Sequence, residues 1–320
     1  MWLWRPWVQI PSLAPPYPLP TRVGRAISKC SAGREVANAV GFETAIARAV
    51  PGGRSKLRWR GHAGLGAARI LVTGASSGIG RALAERLEGQ ADLLLTGRNT
   101  AALAAACGGR TEGVERIVAD LANPADRDRL AALVRARRVD GLVNAAGLGT
   151  LGAFIENPVE GERACVAVNV EALVGLTRAL LPDMIDAARH RGGRALLINV
   201  ASAFAFVPVP QFAVYGASKA FVLSFTEALA SELDDQPIDV MALCPGPTRS
   251  DFGTRAGFAM ASLPGALPPE RVADAAIRAI GRQTVVFTDP ATRTALKPIT
   301  RARALVARAI DVGIHLARRR

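Results

Sequence analysis

The chain has 320 residues, half of them apolar, and a formal charge of +13 from 40 Lys and Arg against 27 Asp and Glu. That composition excludes a chain disordered throughout, a collagen-like repeat and a disulfide-rich scaffold. The charge would ordinarily point to nucleic acid or an anionic membrane, but it sits at the ends: residues 1–68 hold 10 basic and 2 acidic residues, residues 291–320 hold 8 and 1, and the stretch between them holds 22 and 24.

A near-neutral middle gives no electrostatic footprint for nucleic acid, and no such partner is expected. Cys30, Cys107, Cys165 and Cys244 lie far apart with no C-x-x-C pair, which fits free thiols in a reducing compartment. His190 is the one histidine of the middle, too few for a His-ligated metal centre. No uninterrupted run of 18 apolar residues occurs, and the apolar start Trp2–Ile10 is broken by Pro6, so neither a spanning helix nor a signal peptide is expected. A cytoplasmic location follows as the expectation.

Residues 1–67 carry all four tryptophans and a proline-rich start, and read as a disordered basic extension. A targeting arm, an inert tail and translated upstream sequence compete as explanations, and a short helix over 34–50 has only a thin apolar face. From Arg69 the text alternates. Strands are expected over Arg69–Thr73, Asp92–Thr96, Val114–Ala119, Gly141–Asn144, Ala195–Val200, Asp239–Leu243 and Thr284–Thr288. Helices are expected over Ile79–Glu88, Ala101–Cys107, Ala125–Arg137, Val159–Arg189, Val214–Asp234 and Pro269–Gly281. Strict alternation with unbroken apolar strands predicts an α/β fold: a single doubly wound domain over 68–290, its parallel sheet covered by helices on both faces.

The first strand runs into Thr73-Gly74-Ala75-Ser76-Ser77-Gly78-Ile79-Gly80 and then a helix. Glycines here allow a tight turn, close approach of phosphate and close packing of the helix, whose N-terminus attracts a pyrophosphate. The same letters satisfy G-x-S-x-G, a hydrolase elbow on Ser76, but that reading needs a downstream acid and histidine, and only His190 is on offer. After the second strand a dinucleotide site needs an acid for a ribose hydroxyl or an arginine for a 2′-phosphate. Arg98 stands there and no acid does, which favours NADP(H) over NAD(H).

Tyr215 and Lys219 are the only tyrosine and lysine among residues 69–290, a region with 21 arginines. Four residues apart, they share one helix face. A neighbouring cation biases a phenol toward ionisation, as acid–base work near neutral pH requires. Ser202 follows the strand Ala195–Val200, where a strand end opens into a ligand crevice, and its hydroxyl is placed to hold a carbonyl.

These residues resemble the short-chain dehydrogenases/reductases, in the branch with T-G-x-x-x-G-x-G and Y-x-x-x-K motifs. The resemblance covers about residues 69–290. It implies adenine contact at Asp120 and Leu121, and cofactor contact along Asn144-Ala145-Ala146-Gly147, where Ala145 departs from the family's second Asn. It further implies an active-site Asn169 that kinks its helix and anchors a relay water, and a nicotinamide-side motif at Pro245, Gly246 and Thr248. Asn169, Ser202, Tyr215 and Lys219 would form the catalytic tetrad, with Tyr215 as general acid, Lys219 lowering its pKa and orienting ribose, and Ser202 polarising the carbonyl. A homodimer or homotetramer through the long helices is implied as well.

Apolar residues 204–212 and 251–268 flank the site and suggest a small hydrophobic carbonyl or alcohol as substrate. The tail 291–320, with Arg301–Arg320 as a basic amphipathic helix, would pack on its own domain or a second subunit, or else lie on an anionic membrane. The alternative to an enzyme is a regulatory or scaffold protein that binds the dinucleotide without turnover, a reading that loss of Tyr215 or Lys219 would have favoured.

Overall fold

The computed structural model describes residues 68–256, 265–290 and most of 292–306; the expectations for residues 1–67 and for the tail beyond 306 lie outside them. Seven strands, β1 (Arg69–Thr73), β2 (Asp92–Gly97), β3 (Val114–Val118), β4 (Gly141–Asn144), β5 (Ala195–Val200), β6 (Ile238–Cys244) and β7 (Val285–Phe287), form one sheet in the order β3-β2-β1-β4-β5-β6-β7. Every pairing is parallel. Each position of β4 and β5 is buried, which a strand with helices on both faces requires.

Alternate strand residues feed two cores. Ile70 and Val72 pack on one face with Leu83 and Leu87 of α1 (Gly78–Leu87) and Val272 and Ala276 of a late helix, Pro269–Ala279. Leu71 and Leu142 pack on the other with Leu130 and Val134 of α3 (Pro124–Arg137) and Leu176 and Leu180 of α5 (Leu173–Arg191). The strand order reverses between β1 and β4, so a crevice opens at the carboxyl ends of those strands.

Two elements depart from the sequence reading. The helix expected over Ala101–Cys107 is α2 (Thr100–Ala104) followed by a 3₁₀ turn, Ala106–Gly109, with Cys107 and Gly108 left-handed at φ 55° and 57°. Arg116 explains the early stop: its guanidinium donates to the carbonyls of Leu103 (3.0 Å), Ala106 (2.7 Å) and Arg110 (2.7 Å), partners the helix end lacks. The single helix expected over Val159–Arg189 is α4 (Val159–Val166), a π segment Ala167–Ala172, and α5. By length and composition Val159–Arg191 could cross a membrane. Its Leu176, Leu180 and Met184 instead bury against the sheet, which accounts for that apolarity.

The catalytic-side elements follow. α6 (Ala213–Glu232) places Val222 and Leu223 on β6, α7 (Asp251–Ala256) follows β6, and α8 is the helix Pro269–Ala279. Beyond β7, Arg303 reaches back to Glu227 of α6 at 2.7 Å.

Candidate active site

Backbone sterics shape the turn after β1. Gly74 and Gly78 are left-handed, at φ 67° and 57°. A side chain at Gly80 would start 2.5 Å from the Gly74 carbonyl oxygen, and one at Gly74 would start 2.8 Å from Ala146 backbone. The turn therefore lies tight against both α1 and the end of β4. No acidic residue occupies the first turn of α1, so its amide groups and partial positive charge face the crevice uncompensated.

A cavity of ≈ 440 Å³ fills the crevice. Ser76, Ser77, Gly78, Ile79 and Gly80 line one part of it, and Arg98, Asp120 and Leu121 line the part beyond β2 and β3. Ala145, Ala146 and Gly147 supply the β4 side, and Pro245, Gly246 and Thr248 the β6 side. Arg98 is exposed, and the Ser76 hydroxyl oxygen lies only 3.0 Å from where a Gly97 side chain would begin. The glycine cradle, the bare helix end and the cation at the end of β2 fit a nicotinamide dinucleotide.

Thr73 and Asn144 lie beside the cavity, each held by hydrogen bonds to neighbouring elements. Thr73 Oγ1 donates to the Val143 carbonyl at 3.3 Å and accepts from the amides of Ala145 (3.0 Å) and Ala146 (3.1 Å), which joins the ends of β1 and β4. Asn144 Nδ2 donates to Thr177 Oγ1 (3.1 Å) and Asn199 Oδ1 (2.9 Å), and Asn199 donates in turn to Thr226 at 3.0 Å. All four are buried, so this chain satisfies polar groups that would otherwise destabilise the core.

Ser202, Tyr215 and Lys219 meet on the wall of the cavity nearest Gly147. Lys219 is 5% exposed; its Nζ donates to the Val200 carbonyl at 2.8 Å and stands 5.8 Å from the centre of the Tyr215 ring. Burial pushes the Tyr215 phenol up to about 12, opposed by a hydrogen bond with Ser202, and pushes Lys219 down to about 8. Burial outweighs that bond, so the net shift of the phenol is upward. The reason lies in the rings of Phe252, Phe212 and Phe204, centred 5.0, 5.7 and 6.4 Å from that of Tyr215, which keep the phenol in apolar surroundings.

Asn169 sits inside the π segment, so the expected kink is present, but its side chain does not line the cavity. Its Oδ1 accepts from the Leu148 amide (2.9 Å), and its Nδ2 donates to the Leu148 carbonyl (2.9 Å) and Ser218 Oγ (2.8 Å). Ser218, Gly149 and Phe252 gain roles that the sequence reading did not assign. Ser218 was visible inside the Tyr215–Lys219 motif, and Phe252 lay in the apolar flank. Gly149 carried no signal, yet a side chain there would begin 2.8 Å from Phe252 and 3.0 Å from Tyr215.

The hydrolase alternative fails on position. Ser76 follows the carboxyl end of β1, whereas His190 is exposed near the end of α5, which leads into the opposite end of the sheet.

The sequence profile described as short chain dehydrogenase matches residues 68–257. The chain is 31% identical over 235 residues to an uncharacterized oxidoreductase of Staphylococcus saprophyticus, covering 69% of this chain and 94% of that one. Among solved structures, it is similar to a short-chain dehydrogenase from Sphingobium yanoikuyae in complex with NADPH, with 32% identity, 75% of this chain and 94% of that chain covered, and a TM-score of 0.67. It is also similar to a 3-ketoacyl-(acyl-carrier-protein) reductase from Brucella melitensis complexed with NADH, with 31% identity, 69% and 96% covered, and a TM-score of 0.61. With the doubly wound sheet, the glycine turn and the Tyr215–Lys219 pair in place, the chain belongs to the short-chain dehydrogenase family and is a nicotinamide-dinucleotide-dependent oxidoreductase acting on CH–OH and carbonyl groups.

Proposed function

We propose that the protein reduces a hydrophobic carbonyl to a secondary alcohol with NADPH, and runs the reverse oxidation with the same groups. The observation that carries this reading is the convergence of Ser202, Tyr215 and Lys219 on one wall of the cavity that the glycine turn opens. When bound, the reduced nicotinamide supplies the hydride to the carbonyl carbon. Tyr215 Oη delivers the proton to the carbonyl oxygen; a phenol held at about 12 stays protonated at neutral pH and stands ready as an acid. Ser202 holds that oxygen. Lys219 spends one hydrogen on the Val200 carbonyl and turns the others to the ribose and the phenol. Asn169 acts from behind the wall, fixing Leu148 and the turn of α6 below Tyr215.

Arg98 and Ser76 together support NADP(H) over NAD(H), since a guanidinium and a hydroxyl suit a 2′-phosphate and no carboxylate stands at the end of β2. The exposed side of α4 and α6 supports a homodimer: Phe221 is 40% exposed and stacks on Phe225 (5.9 Å, 8°), with Val166 40% exposed on the neighbouring α4. The deciding experiment is Tyr215→Phe. Reduction should fall about 10²- to 10⁴-fold while NADPH binding is kept, and undiminished turnover would refute the assignment.

A further inference from the structure

We infer that the substrate is an uncharged aryl carbonyl, received by an aromatic box that Phe252 completes around Tyr215. This rests on the carbonyl reading above and narrows it. Phe204 and Phe212 come from the segment after β5, Phe252 from α7 after β6, and all three line the cavity and contact the Tyr215 ring. Phe204 and Phe212 also contact each other, with centres 5.8 Å apart and planes at 50°. A group attached to a carbonyl held at Tyr215 and Ser202 finds these rings beside it in the cavity. Gly149 packs bare backbone against both Phe252 and Tyr215, which lets these two rings sit close together.

Among the described residues, charge argues against carbonyl substrates that carry a carboxylate or phosphate. The charged residues among the described lining are Arg98, Asp120 and Lys219. Arg98 and Asp120 stand at the ends of β2 and β3, away from Tyr215, and Lys219 is tied to the Val200 carbonyl. None is left to meet a carboxylate or phosphate on the substrate, and desolvating such a group in this apolar end without a partner is strongly unfavourable. A flat, neutral ring extends the tilted packing already present, with a gain beyond area burial that a saturated group of the same size does not obtain.

The test uses four ketones with the full chain and NADPH: acetophenone, 1-cyclohexylethanone, 2-octanone and benzoylformate. Both kcat/KM and calorimetric binding to the enzyme–NADPH complex are read. Acetophenone should exceed 1-cyclohexylethanone about tenfold, and benzoylformate should be poor. Phe252→Leu, which keeps apolar bulk on a short helix, should bring the aryl-to-cyclohexyl ratio close to one; circular dichroism checks its fold, and Phe252→Ala repeats the measurement. A wild-type ratio near one, or a ratio unchanged in both variants, overturns the inference. Tyr215-dependent turnover indifferent to the ring defeats the aromatic box and leaves the reductase standing. Selective acetophenone binding without turnover, lost in Phe252→Leu, supports the box and defeats the reductase reading.

Discussion

Asn169 Nδ2 donates to Ser218 Oγ at 2.8 Å, and Ser218 Oγ donates to the Tyr215 carbonyl at 2.7 Å, so the π segment grips the catalytic helix through one hydroxyl. Ser218→Ala removes the acceptor from a buried amide that Leu148 and Cys165 also engage. It should destabilise the fold by about 1–3 kcal/mol, read by denaturant unfolding, and lower kcat more than it changes NADPH affinity. A variant with full stability and full kcat would show that the grip is unimportant.

Gly149 admits no side chain without movement of Tyr215 or Phe252. Gly149→Ala should therefore displace the phenol and lower kcat about 10-fold to 10²-fold, with NADPH affinity little altered because Gly149 lies on the substrate side. Steady-state kinetics with a fluorescence titration of NADPH separates the two effects.

Lys219 titrates at about 8 in the fold, below its ordinary 10.5. Between those values the unfolded chain holds a proton that the folded chain has released, so this residue makes stability rise with pH across that window. Tyr215 acts in the opposite sense: held at about 12 against an ordinary 10.0, it makes stability fall as pH climbs between them. Lys219→Met should abolish the first rise, and its gain over wild type at pH 7 should be on the order of 3 kcal/mol at most. Unfolding curves at pH 7, 9 and 10, without cofactor, measure it.

Arg98 is exposed at the end of β2 and lines the cavity. Replacing it by Asp should lower the preference for NADPH over NADH about 10- to 100-fold, the scale of one charge-assisted hydrogen bond. Ratios of kcat/KM for the two cofactors give the answer directly, and an unchanged ratio would remove Arg98 from the site.

The sheet was legible because most of its strands carry unalternated apolar runs, so both covered faces are written in stretches such as Ile70–Val72, Leu93–Leu95 and Leu142–Val143. Ser202, Tyr215 and Lys219 were legible for a different reason: one phenol and one ammonium in an arginine-rich domain have little reason to exist except chemistry. The hydrogen bonds that hold Thr73 and Asn144 were not legible. Motif position tells that a residue is near the cofactor, whereas its direction depends on partners such as Val143 and Thr177 from distant parts of the chain. The surroundings of the phenol were not legible either, because a lysine one turn away is local information and the rings of Phe204, Phe212 and Phe252 are tertiary. Gly149 illustrates the same limit, since nothing in its neighbours announces that two rings converge on its missing side chain.

The strand order divides the labour along the chain. The lining from Gly74 to Gly147 comes from the ends of β1 to β4, while Ser202, Tyr215, Lys219 and the three phenylalanines come from residues 202 to 252, after β5 and β6. The two halves meet at β4 and β5, which pair through four residues from Gly141 to Asn144. A crossover placed just after β4 would exchange the half that carries Ser202, Tyr215 and the three phenylalanines against that of a relative. In such a fold, substrate choice can diverge by recombination at a single joint while the glycine turn, Arg98 and Asp120 stay in place.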